Sequence, residues 1–193
     1  MSNTALHHQR RKVQHYRPMS AQFIEITDMT SNDLDEILQI EKASFHAPWS
    51  RGMFLHELQS TISRSIVART CGNAFPEIAG YMIYWLFSGE AHIHKMAVKE
   101  ILRRQGVGTK LLGEMIRLSL REGAQWCVLE VARSNERAKI FYEKFGFRVQ
   151  TVRERYYTES GDDAFVMAAD IGECAKWFHE RDDTVDDGWE SHS

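Results

Sequence analysis

The stretch "KMAVKEILRRQGVGTKLLGEMIRLSL", residues 95–120, constrains the fold of this chain more than any other. An apolar run gives way to two arginines and two glycines, and then to a helical pattern. Leu111, Leu112, Met115 and Leu118 or Ser119 recur on one side of that helix. A strand that passes into a helix through a basic, glycine-containing turn leaves the first helical N–H groups unpaired, and the helix dipole favours an anion there. Glycine lets such an anion approach the backbone closely.

Two well-known phosphate motifs fail here. A Walker A loop needs lysine directly after glycine, but Lys110 follows Thr109. A dinucleotide fingerprint needs a third glycine where Leu111 stands. What remains is an R-x-x-G-x-G turn, Arg103, Arg104, Gln105, Gly106, Val107, Gly108 and Thr109. On these residues alone it is either a phosphate cradle or a tight turn with solvated arginines.

The rest of the chain supplies strands and helices around this centre. "QFIEIT" (22–27) alternates as a strand. Leu34, Ile37, Leu38 and Glu41 have helical spacing, and after the break "HAPWS" Ser50 can cap a short helix through Leu58. The β-rich runs 64–70 and 77–87, joined by "CGNAFP", read as a hairpin, and "AHIHKMAV" (91–98) as a further strand. "WCVLEV" (126–131) is a buried strand, and "NERAKIFYEKF" a helix that Gly146 ends. Two last strands flank "TESGDD". The predicted order is βααβββαβαββ. This is an α/β (α+β) fold, a mixed and mostly antiparallel sheet with helices on both faces.

The 193 residues, 43% of them hydrophobic, suit one core. The expected folded domain is 21–172. A basic extension, 1–20, holds Arg10, Arg11, Lys12 and Arg17 and no acid. An acidic tail, 173–193, carries six acids and one base from Glu180 onward. Both ends read as disordered. A net charge of -3 argues against direct nucleic-acid binding, and no apolar run suggests a membrane span or a leader. Three scattered cysteines form neither a disulfide framework nor a zinc pattern, which fits a reducing cytoplasm. His92 and His94 share a strand face but lack a third ligand, so no metal is expected. Cys127, in an apolar strand beside Trp126, reads as an inert thiol.

"LRRQGVGTKLL" after "HKMAV", then "LEVARSNERAKIFYEKFGF", then "RYYTESGDDAFVM" resembles the GNAT superfamily of acyl-CoA-dependent N-acetyltransferases. In detail it is similar to the RimI-type ribosomal-protein alanine N-acetyltransferases, from about Phe23 to Ala169 and including "IEKASFHAPWS". The resemblance implies acetyl-CoA as co-substrate. Its diphosphate would lie on the turn 103–109, and its pantetheine arm along the backbone of Met96, Ala97 and Val98, with Asn135 in contact. It implies Glu130 as general base and Tyr142 as general acid. On position alone Glu130 could equally be a solvated strand-end residue, Tyr142 a core aromatic, and Asn135 simply a helix cap. Trp49, Tyr156 and Tyr157 would wall the acceptor side, with Glu154, Asp162 and Asp163 lending it negative charge. The implied acceptor is a protein N-terminus, Ala or Ser, on a basic ribosomal protein. Acetylation of lysine side chains or small amines is the alternative within enzymes, and a non-catalytic CoA-binding module the alternative outside them.

Overall fold

The computed structural model describes residues 23–71 and 76–182. The basic extension 1–20, most of the linker "CGNAFP" and residues 183–193 lie outside the described residues. The elements are β1 (Phe23–Asp28), α1 (Leu34–Ser44), α2 (Arg51–Gln59), β2 (Ser63–Cys71), β3 (Ile78–Phe87), β4 (Glu90–Val98), α3 (Val107–Arg121), β5 (Trp126–Ala132), α4 (Glu136–Lys144), β6 (Arg148–Tyr157), β7 (Asp162–Asp170) and α5 (Ile171–Asp182). Short 3-10 turns precede α1 and α3.

The strands form one seven-stranded sheet in the order β1-β2-β3-β4-β5-β7-β6. β4 and β5 run parallel, and every other neighbouring pair of this sheet is antiparallel. The two faces bury separate cores. On one, Leu111, Leu112, Met115 and Ile116 of α3 meet Ala91, Ile93, Cys127 and Leu129. On the other, Leu34, Ile37 and Ile40 of α1 and Phe54 of α2 meet Val67, Tyr81 and Ile83. Each helix starts and stops where its local chemistry dictates. The Ser50 side chain accepts from Met53 N to cap α2, and that of Asn135 accepts from Ala138 N to cap α4. Gly123 and Gly146 follow α3 and α4 at φ +83° and +92°, the left-handed geometry that favours glycine at helix ends.

The chain end corrects an expectation. Residues from 173 on were read as an acidic tail, yet α5 continues to Asp182. Cys174 is buried, and Trp177 and Phe178 pack on Phe145 with ring centroids 4.4 and 5.2 Å away. The charged residues of this segment sit on the outer face and mask an apolar stripe of only a few residues.

Candidate active site

The site begins with two irregularities in β4. The register against β3 runs Ile83↔Lys95 and then Tyr84↔Ile93, so His94 is an extra residue. This bulge exchanges the faces of the strand. Ala91 and Ile93 face the α3 core before it, and Met96 and Val98 pack against that core after it. Lys95 and Ala97 turn instead toward α1. β4 also parts from β5. Their pairing covers Glu90–Ile93 against Trp126–Leu129 and stops there. Beyond this point Lys95–Val98 pair with β3 on one side only, while Glu130–Ala132 pair with β7.

A slot therefore opens in the sheet, edged by the main chain of Met96, Ala97 and Val98. Main-chain groups left without a sheet partner accept an extended, amide-bearing ligand as an added strand. The three residues predicted for that role stand together on this edge. Val98 O already accepts from Arg103 Nε at 3.1 Å, and Arg103 also reaches Ser44 Oγ at 3.4 Å. Arg103 thus staples the turn to the end of the slot rather than projecting freely.

At the same end lies the turn. Arg104 and Gly106 take φ of +64° and +84°, so the chain reverses sharply before α3. Gly106 occupies the N-cap position, and no side chain caps the helix. The N–H groups of Val107, Gly108 and Thr109 are left to an external acceptor. Val107 anchors the helix with a buried side chain. Gln105 folds back, its Nε2 donating to Ile101 O at 2.9 Å. A Cβ on Gly108 would lie 3.5 Å from the Phe141 ring, an ordinary contact, so the protein's own packing does not require glycine here. An uncapped helix start beside a free strand edge suits a ligand with an anionic head and an amide-bearing arm. Asn135 is placed as the cap of α4.

Glu130 lies where the slot opens, on the sheet face opposite Leu129 and Val131. Its side chain is one-tenth exposed. Oε2 lies 2.7 Å from His92 Nε2, and Oε1 lies 3.0 Å from a terminal guanidinium nitrogen of Arg153. The hydrogen bond with His92 lowers the carboxyl's pKa, burial opposes it, and the charges of His92 and Arg153 lower it further, so the net direction is down. Burial alone would raise it. Two basic partners outweigh burial, and neither adjoins Glu130 in sequence.

Tyr142 is buried on the other face of the sheet, edge-on to Phe141 and Phe147 at 5.1 and 5.4 Å. Its hydroxyl has no hydrogen-bond partner among the described residues. Burial above all raises its pKa, with the neighbouring Cys127 and Tyr157 adding to the effect. Tyr157 is pushed up to about 12, first by burial and then by Tyr156 and Glu130. Tyr156 and Tyr157 meet edge to face at 5.2 Å. The Trp49 ring packs edge-on against Phe54 at 5.6 Å. Cys127 is buried, and its thiol is raised well above the ordinary range by desolvation, as an inert core thiol would be.

The acidic entrance read from the sequence is not assembled. Asp162 accepts from Ser134 N and Oγ, and Asp163 from Arg133 and from the main-chain N of Arg155. These carboxylates brace the β6–β7 end, where Arg153 and Arg155 offset Glu154.

Two features were missed. Glu41 is wholly buried and accepts from Tyr81 Oη, from Trp49 N at 2.7 Å and from Lys95 Nζ at 2.8 Å. Lys95 Nζ also sits 3.7 Å above the Phe45 ring. The loop between α1 and α2 is thereby tied to β4. The second feature is His92 itself, weighed above only as a metal ligand, which holds Glu130. A glutamate on the apolar face of α1 was the available signal for the first. The pairing across β4 and β5 left no local signal for the second.

The sequence model of the acetyltransferase (GNAT) family matches residues 34–147. The chain is 30% identical over 148 residues to the ribosomal protein bS18-alanine N-acetyltransferase of Escherichia coli K12, covering 76% of this chain and 97% of that protein. It is 31% identical over 153 residues to an N-alpha-acetyltransferase of Sulfurisphaera tokodaii, covering 72% and 88%. The crystal structure of the E. coli ribosomal-protein-S18-alanine N-acetyltransferase superposes with a TM-score of 0.69 at 30% identity, over 77% of this chain and 94% of that one. A NatC complex bound to Gag peptide and CoA shares the fold, with a TM-score of 0.68 at 22% identity over 76% and 98%. With its slot, its uncapped helix start and these relatives, the chain belongs to the acetyltransferase (GNAT) family and is an acetyl-CoA-dependent N-acetyltransferase.

Proposed function

We propose that this enzyme acetylates the N-terminal α-amine of a protein beginning with alanine or serine, and that the acceptor is a ribosomal protein of the bS18 type. The observation that carries the reading is similarity to the E. coli enzyme over nearly its whole length, the slot region included. The arrangement on the α1–α2 face supports it. Glu41 holds the main chain of Trp49 beside Lys95 and Ala97, so an apolar wall stands at the strand whose edge would hold the acetyl donor. Tyr156 and Tyr157 furnish a second aromatic surface, near Glu130. Such walls with polar tips accommodate an extended peptide end.

The acetyl donor supplies an activated thioester. Met96–Val98 would hold its arm, and the N–H groups of Val107, Gly108 and Thr109 its diphosphate. Glu130, with His92 bonded to it, lies on the opposite face of the sheet from Tyr142, so proton removal from the amine and proton delivery to the departing sulfur would be served from two sides of one slot. Burial keeps the Tyr142 phenol protonated, and thus in the form that donates.

The test is acetylation of a panel of peptides starting Ala, Ser or Met, some with internal lysines, with the product located by mass spectrometry. The expected mark is on the α-nitrogen of the Ala and Ser peptides. Acetyl found only on lysine Nε would replace this reading with side-chain acetylation.

A further inference from the structure

We propose that His92 is the proton acceptor for the attacking amine and that Glu130 is its positioning residue. This rests on the acetyl-transfer reading, but not on which amine is the acceptor. Both carboxylate oxygens of Glu130 are engaged, one by His92 Nε2 and one by Arg153. A carboxylate bound to a guanidinium and an imidazole is a weak base, and this one's pKa is lowered. His92 is better disposed. It stands opposite Val128, one pair before the β4–β5 ladder ends, and so at the vertex of the slot. Its side chain is about one-third exposed, 34%. Nδ1 has no hydrogen-bond partner among the described residues.

The surroundings fix the ring. His94 lies against it at 4.7 Å, and Trp85 against His94 at 3.9 Å. Trp85 Nε1 donates to Glu57 Oε2 of α2 at 2.7 Å. The charged and titratable groups around His92 are therefore Glu130 with Arg153 and Tyr157 behind it, His94 beside it, and Glu57 beyond Trp85. A carboxylate on Nε2 selects the tautomer that carries its proton there and leaves the Nδ1 lone pair free. Imidazole is also the side chain whose ordinary pKa is nearest neutrality, where a general base works best.

The accounting closes without another reactant. As the amine nitrogen bonds to the acetyl carbon and the C–S bond breaks, the nitrogen's surplus proton passes to His92 Nδ1. The sulfur takes one proton, from Tyr142 in the reading above, and Tyr142 recovers one from solvent. His92 releases its proton to solvent, and the products are an amide and a thiol.

Two measurements test this on the full chain. The first is nitrogen-15 histidine spectroscopy of the free protein at about pH 8. His92 should carry its proton on Nε2 in the parent and lose that preference in Glu130→Gln; a parent His92 protonated on Nδ1 overturns the proposal whatever the acceptor. The second is the pH profile of kcat/KM with the fastest acceptor among an Ala-starting peptide, a lysine peptide and a small polyamine. His92→Phe should lose about a hundredfold near neutrality, lose much less at high pH, and still bind acetyl-CoA by calorimetry. Glu130→Gln should lower the rate but keep the acidic limb that His92→Phe loses. If Glu130→Gln removes the limb while His92→Phe retains it, Glu130 is the base and the proposal is wrong.

Discussion

The Phe178 ring of α5 lies where a side chain on Gly113 of α3 would have to go: a Cβ there would stand 2.9 Å from Phe178 Cε1. Phe178 is itself stacked on Phe145, so the ring cannot swing away freely. A valine at position 113 must displace it. Gly113→Val should cost about 1–3 kcal/mol through overpacking, less whatever is regained by removing a mid-helix glycine. Chemical denaturation of the parent and variant measures this, and Phe178→Leu in the same chain should recover part of the loss. An unchanged midpoint in Gly113→Val would mean that α5 does not dock as described.

That contact also marks where sequence reading ran out. The succession of strands and helices along the chain, the α3 turn and the caps at Ser50 and Asn135 were legible because each depends on residues within a few positions of one another. α5 was not. Its apolar stripe is short, and its partners Gly113 and Phe145 lie far back in the chain. The bulge at His94 was invisible for a related reason, since an extra residue in a strand shows only against the partner's register. Glu130 could be placed at its strand end, but the direction of its pKa depended on His92 and Arg153 arriving from two other strands.

Glu41 should matter more than its distance from the slot suggests. It is a buried carboxylate with three donors, and Lys95 is its charged partner. Glu41→Ala strands that ammonium in a largely buried setting and frees the Trp49 main chain. A loss of about 3–5 kcal/mol is expected for breaking such a pair from one side. In preparations that remain folded, KM for the peptide should rise more than KM for acetyl-CoA if Trp49 walls the acceptor side as proposed. Equal changes in both would remove Trp49 from that wall.

The two turn glycines should respond differently. Gly106 needs a left-handed backbone at φ +84°, so Gly106→Ala should cost about 1 kcal/mol of stability from conformation alone. Gly108 has no such constraint, and its Cβ would meet only ordinary contacts. Gly108→Asp should therefore fold normally yet bind acetyl-CoA severely more weakly, since it sets a carboxylate among the N–H groups proposed to hold the diphosphate. Calorimetric titration with acetyl-CoA separates the two effects. Undiminished affinity in folded Gly108→Asp would relocate the diphosphate.

His94 provides a stability test on the acid side of neutrality. Its pKa is lowered, mainly by burial and then by the proximity of His92, and its Nε2 is buried without a partner. The folded state thus binds the His94 proton less readily than the unfolded chain does. Stability from this group is fully present above the unfolded pKa of about 6.5 and is lost as pH falls through and below it. The depressed carboxylates of Asp33 and Glu130 have the same sign but act lower, below their ordinary values near 4. Replacing His94 by phenylalanine keeps an aromatic ring against Trp85 and removes the titration. Urea midpoints of the parent should therefore fall more steeply than those of His94→Phe between about pH 7 and pH 5.5, and the two slopes should become similar again at lower pH. Parallel slopes throughout would show that His94 is protonated as easily in the folded protein as in the unfolded one, and would place it outside the buried wall behind His92.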